Sequence, residues 1–126
     1  MENPHKHPRG LTHAWRATGI ALQGLYTAWQ HEEAFRQETI IAAIAIPVAL
    51  FLPVGFSDKA ILIGSIFLVL IVELLNSAIE AAVDHTSLER HPLAKRSKDI
   101  ASAAVFLSIV NALALWALVL YPLLPM

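Results

Sequence analysis

No cysteine occurs in the chain, which excludes a disulfide framework and any thiolate metal site. Charge is scarce as well. Asp, Glu, Lys and Arg make up 15% of the 126 residues and leave a formal net charge of −1. That balance does not suit a polyanionic partner, so no nucleic acid is expected. There is no GxxxxGK[ST] loop, so any nucleotide would need a different cradle. The opening MENPHKHPRG is polar, holds two prolines and has no apolar signal-peptide core, so no cleavage is expected there. What fills the chain is apolar: 56% of its residues are hydrophobic. One domain at most fits this length, and a small soluble domain buries too little of its chain to hide that much apolar surface. The composition points to a membrane.

Three apolar blocks carry this excess. The first runs from Ile40 to Val54 without a charge, with Pro47 inside it. The second runs from Ala60 to Val83 and holds Glu73 and Glu80. The third starts at Ile100 and carries no charged side chain. A membrane-crossing helix needs about 20 mainly apolar residues. Spans are therefore expected at about 37–56, 58–84 and 98–122, with Ser57 and Asp58 as helix starters and His85 to Asp99 as a solvated loop with one or two helical turns at its edges. Lys6, Arg9, Arg16 and Arg36 precede or open the first span, and Arg90, Lys95, Arg96 and Lys98 lie in the second connection. Only Lys59 occupies the first connection. The positive-inside rule then places the N-terminus and the second loop in the cytoplasm of a multi-pass protein.

Residues 11–29 have a different pattern. Leu11, Trp15, Thr18, Leu22, Leu25, Tyr26 and Trp29 fall within about 100° of one another on a helical wheel. Two Trp and one Tyr on the apolar side fit a surface helix, at about 10–30, lying in the headgroup region. The expected fold is an all-α membrane protein: an N-terminal amphipathic surface helix followed by three transmembrane helices.

The second block holds the chemistry. On a helical wheel Asn76, Ser77, Glu80 and Asp84 all lie within about 60° of Glu73. These polar groups form one stripe. An acidic residue at a bilayer centre is disfavoured by roughly 2.5–3.5 kcal/mol on insertion scales, so the stripe has a use. Its carboxylates can hold a hard divalent cation, serve as a general base, or hold helices together. The last task usually falls to uncharged Ser, Thr, Asn or Gln. HEEAFRQE at 31–38 and KRSKD at 95–99 bring more carboxylates and cations to the same side. Carboxylates for a metal and Lys or Arg for phosphates are most of what phosphoryl transfer requires.

The motif ExxNSAIExxxD from Glu73 to Asp84 resembles the signature of prokaryotic integral-membrane diacylglycerol kinases. EAFRQE at 33–38, the Lys98–Asp99 pair, SAAV at 102–105 and GLYTAW at 24–29 are similar in order and spacing, so the likeness covers nearly the whole chain. It implies a single membrane-embedded kinase domain, a homotrimeric helical bundle and a location in the bacterial inner membrane. It also implies transfer of the γ-phosphate of ATP, as MgATP, to diacylglycerol, giving phosphatidic acid. The positions it implies are Glu73 as general base supported by Asn76, and Glu32 and Glu80 as ligands of Mg²⁺. Glu32, Glu80, Glu89, Arg90, His91, Lys98 and Asp99 would contact the nucleotide, as would His13, although the family often has arginine there and an aromatic residue where this chain has Ile20. Lipid would meet Ala34, Phe35, Arg36, Gln37, Glu38 and Glu73, with Ser102 and Trp116 along its path. The residues themselves leave other uses open: a polyprenol (undecaprenol) kinase on the same scaffold, a small oligomeric ion pathway lined by the stripe, or a non-catalytic helical interaction protein.

Overall fold

The computed structural model describes residues 10–86 and 91–125. Every regular element among them is helical: α1 (Leu11–His31), α2 (Glu33–Phe51), α3 (Phe56–Thr86), α4 (Pro92–Leu120) and a closing 3₁₀ turn at Tyr121–Leu123. α2, α3 and α4 are each long and apolar enough to cross a membrane. α3 is central and packs against both α2 and α4, whereas α1 touches mainly α2.

Local chemistry sets the boundaries. Gly10 precedes α1 with φ +81, a left-handed conformation that glycine adopts without strain. α1 and α2 are separated by Glu32 alone, whose backbone is extended at φ −115, ψ 104. α2 ends at Phe51 because Pro53 forces Leu52 into an extended conformation. It is continuous through Pro47. Lys59 closes the turn to α3 by donating from Nζ to the Leu50 carbonyl at 2.7 Å, which satisfies a helix-terminal acceptor. At the other end, α3 runs to Thr86 and α4 starts at Pro92, so the connection over 85–99 has helical turns at both edges, about two of them on the α4 side. Pro92 fits the first turn of α4, where its missing N–H is no loss, and His91 caps that turn by accepting from the Leu93 amide at 3.1 Å. Lys95, Arg96, Lys98 and Asp99 lie on helical surface.

The spans meet along seams of small residues. α2 buries Phe35, Ala42 and Ala49, spaced by sevens. α3 buries Leu62, Ser65, Val69, Glu73 and Asn76, and α4 buries Ala101, Ser108 and Ala112. Steps of three, four and seven keep one side of a helix on its neighbour, and small side chains let backbones approach in an apolar solvent. Ser65 ties α3 to α4: its hydroxyl donates to the Leu62 carbonyl at 2.7 Å and accepts the Trp116 indole N–H at 3.2 Å.

α1 is held differently. Ala28 is its one buried residue among those described, and Leu11, Trp15, Leu22 and Tyr26 on its apolar stripe are all exposed. Among the described residues the stripe finds no cover, as a surface helix requires. Arg36 supplies the attachment: its Nη1 donates to the carbonyls of Trp29 and Gln30, each at 3.1 Å, and so ties the end of α1 to α2. Hydrogen bonds from charged groups contribute about 1.5–3 kcal/mol. Arg36→Leu is therefore expected to speed amide hydrogen exchange in the last turn of α1 by about tenfold, with protection of α3 unchanged. Equal exchange in both proteins would show that the clamp is not what holds α1.

Candidate active site

The polar stripe of α3 turns inward. Glu73 is 5% exposed and Asn76 9%, and Glu80 is half-buried, while Ile71, Leu75 and Ile79 face outward. The stripe continues the same side of α3 that buries Leu62, Ser65 and Val69, which explains why one helix can carry acids and still cross a membrane. Asn76 Nδ2 donates to Glu80 Oε1 at 3.4 Å, a long bond between successive turns. Asp84 lies beyond the buried part and is exposed.

Neighbouring elements add to the stripe. Glu32 and Glu80 are both within electrostatic reach of Glu73, and Glu73 is within reach of Glu38 on α2. Four carboxylates from the α1–α2 break, α2 and α3 thus share one region. Glu32 is half-buried and, although it stands at the start of α2, its side chain makes no capping bond, so its oxygens are not used by the helix. Glu38 Oε2 and Asn76 Oδ1 are buried and accept no hydrogen bond among the described residues, so each keeps acceptor capacity.

These donors are hard oxygens, which suit a divalent cation such as Mg²⁺. Among the described residues no three His, Asp or Glu side chains converge on a point where they alone would hold a metal. Such a set fits a cation that keeps several waters and takes phosphate oxygens from a substrate, with one or two carboxylates from the protein.

The cations stand across from the acids. Lys98 Nζ of α4 lies 2.5 Å from Asp84 Oδ1 of α3, and Lys95 pairs with Asp99 at 2.6 Å within α4. His13 lies on the exposed surface of α1. His91 serves as the cap of α4. Glu89 and Arg90 fall outside the described residues.

Below the acids a cavity of about 530 Å³ opens between α2, α3 and α4. Gln37 and Glu38 stand among its walls together with Trp116, and the rest of the lining, such as Ile41, Val69 and Leu113, is apolar. Of the other residues expected along a lipid path, Phe35 is buried in the α2 seam, Arg36 clamps α1, and Ala34 and Ser102 are exposed outside this cavity. Ser65 was not foreseen from the sequence. A lone serine within an apolar run, near the stripe's side of the wheel, was the available signal. Of the three small residues Ala104, Ser108 and Ala112, which repeat every four positions on α4, Ser108 and Ala112 are buried within the subunit and Ala104 is exposed. Ala101, not Ala104, joins Ser108 and Ala112 in the buried row of α4.

A helical membrane protein with carboxylates massed at one end of its spans, cations facing them and an apolar cavity beneath belongs to the class of membrane-embedded enzymes acting where water meets lipid. The chain is a member of the prokaryotic diacylglycerol kinase family, whose sequence profile matches residues 19–120. It is 47% identical over 118 residues to the diacylglycerol kinase of Pseudomonas aeruginosa, covering 94% of this chain and 96% of that protein. Identity to the diacylglycerol kinase of Escherichia coli strain K12 is 44% over 112 residues, covering 89% and 92%. With that of Helicobacter pylori strain 26695 it is 42% over 108 residues, covering 86% and 84%.

Proposed function

We propose that the protein is an ATP-dependent diacylglycerol kinase of the bacterial inner membrane. Glu73 takes the proton of the lipid's primary hydroxyl as its oxygen attacks the γ-phosphorus. The bond to the β-phosphate oxygen breaks, and phosphatidic acid and ADP leave. The observation that carries this reading is the burial of Glu73 among Glu32, Glu38 and Glu80, directly above an apolar cavity. Glu73 lies about 10 Å deeper along α3 than Glu80, at about 1.5 Å per residue, which suits an alcohol carried on acyl chains meeting a phosphate that stays at the surface.

Glu32 and Glu80 are the residues to hold Mg²⁺ with the nucleotide. When bound, the cation neutralises charge on the phosphate oxygens and polarises the phosphorus toward attack. Asn76 steadies Glu80 through its hydrogen bond. Lys98 and Asp99 meet the nucleotide, with Glu89, Arg90, His91 and His13 around it. Gln37, Glu38 and Trp116 border the lipid's path, and Ala34, Phe35, Arg36 and Ser102 complete it. α1 lies in the cytoplasmic headgroup layer, and Arg16, Arg36 and the basic start of α4 support that orientation. The working form is a homotrimer. The outer faces of the spans are exposed and apolar, which leaves them free for lipid or for further copies.

Purified protein given radiolabelled ATP, Mg²⁺, diacylglycerol and undecaprenol is expected to label the diacylglycerol. Label on the polyprenol alone would move the protein to that substrate. An ion flux in sealed liposomes without any labelled lipid would replace the kinase reading by a pathway.

A further inference from the structure

We infer that Asp84 is a positioning residue that holds the Lys98 ammonium away from Glu80 and so leaves the Glu80 carboxylate open to a divalent cation. This rests on the metal-binding reading of Glu80 given above.

Three observations lead to it. Lys98 Nζ and Asp84 Oδ1 form an ion pair of 2.5 Å that bridges α3 and α4, so the ammonium's place is set from α3 and not by its own helix. Glu80 stands one turn before Asp84 on the same side of α3 and is the other carboxylate acting on Lys98. Glu80 itself is weakly engaged, since its one hydrogen bond among those described is the 3.4 Å contact from Asn76. The nearby Lys95 is already matched with Asp99. A Lys98 released from Asp84 therefore has one strong alternative, and Glu80 is the more buried of the two acids. Attraction grows as water is excluded, so the ammonium would compete directly with a metal there. Asp84 prevents that competition. It also keeps Lys98 poised beside the metal site, where a phosphate group can reach it.

The test uses the purified, assembled protein and Mn²⁺ alone, read by the electron paramagnetic resonance of the free ion. Asp84→Asn is expected to raise the Mn²⁺ concentration for half-saturation by about tenfold, the low end for groups that orient metal ligands, with the thermal midpoint unchanged. Asp84→Glu restores binding. Adding Lys98→Met to Asp84→Asn also restores it, because no ammonium remains to occupy Glu80. A purely structural role for Asp84 predicts no such rescue. Native Mn²⁺ binding by Asp84→Asn, with binding lost in Glu80→Gln, would overturn the inference and leave the metal site standing. Failure of Lys98→Met to rescue would overturn it too, by making Asp84 itself a ligand. Native binding in Glu80→Gln would remove the metal reading and this inference together.

Discussion

Glu73→Gln is expected to lower diacylglycerol phosphorylation by about 10²- to 10⁴-fold, the range over which a positioned general base acts. Glutamine keeps the length and shape of the side chain and removes its capacity to take a proton. The loss should appear in kcat, because Glu73 stands apart from the groups proposed for the nucleotide, and KM for MgATP should stay close to native. The fold should survive. Glu73 is buried with Glu32, Glu38 and Glu80 in electrostatic reach, and neutralising one of four like charges relieves repulsion. A thermal midpoint equal to or above the native one, measured beside the radiolabel assay, separates loss of chemistry from loss of structure. Near-native turnover in Glu73→Gln would remove Glu73 from the role of base and send the search to Glu38, the other carboxylate at the cavity.

Glu80→Gln is expected to lower activity by about 10²-fold or more at ordinary Mg²⁺ concentrations. A divalent ion on the transferring phosphate contributes several kcal/mol, and about 1.4 kcal/mol is a factor of ten. Glu80 is half-buried and accepts only the long bond from Asn76, so little of the fold depends on its charge. The signature that distinguishes it from Glu73 is recovery. Raising Mg²⁺ should restore part of the activity of Glu80→Gln, because the metal's other partners remain, and should do nothing for Glu73→Gln. Activity in Glu80→Gln that does not respond to Mg²⁺ would argue that Glu80 holds no metal.

Much of this architecture was written in periodic patterns. The stripe of α3 was legible because Glu73, Asn76, Glu80 and Asp84 repeat at the period of a helix, and one wheel shows that they share a side. The surface helix was legible for the same reason. Which neighbours the stripe faces was not legible, since that depends on how three helices pack. The bond from Trp116 to Ser65 spans 51 positions and the pair of Asp84 with Lys98 crosses between helices; no local pattern encodes either. How far α4 extends ahead of its apolar stretch was hard to read for a local reason. Lys95, Arg96 and Lys98 look like a loop because loops are polar, but a helix that rises out of a membrane is polar too, and Pro92 with His91 marks where it begins. The bond from Arg36 to α1 was hidden because a guanidinium at a membrane surface is expected to face phosphate, and here it reaches back to backbone carbonyls.

The seams built from Ala42, Ala49, Ala101, Ser108 and Ala112 leave the subunit almost no interior of its own. Most of its large hydrophobic side chains among the described residues are exposed, so the lipid tails around it take much of the part that a core plays in a soluble enzyme. Acyl length, fluidity or a detergent substitute will therefore alter how tightly the subunit is held together, and the substrate is drawn from that same medium.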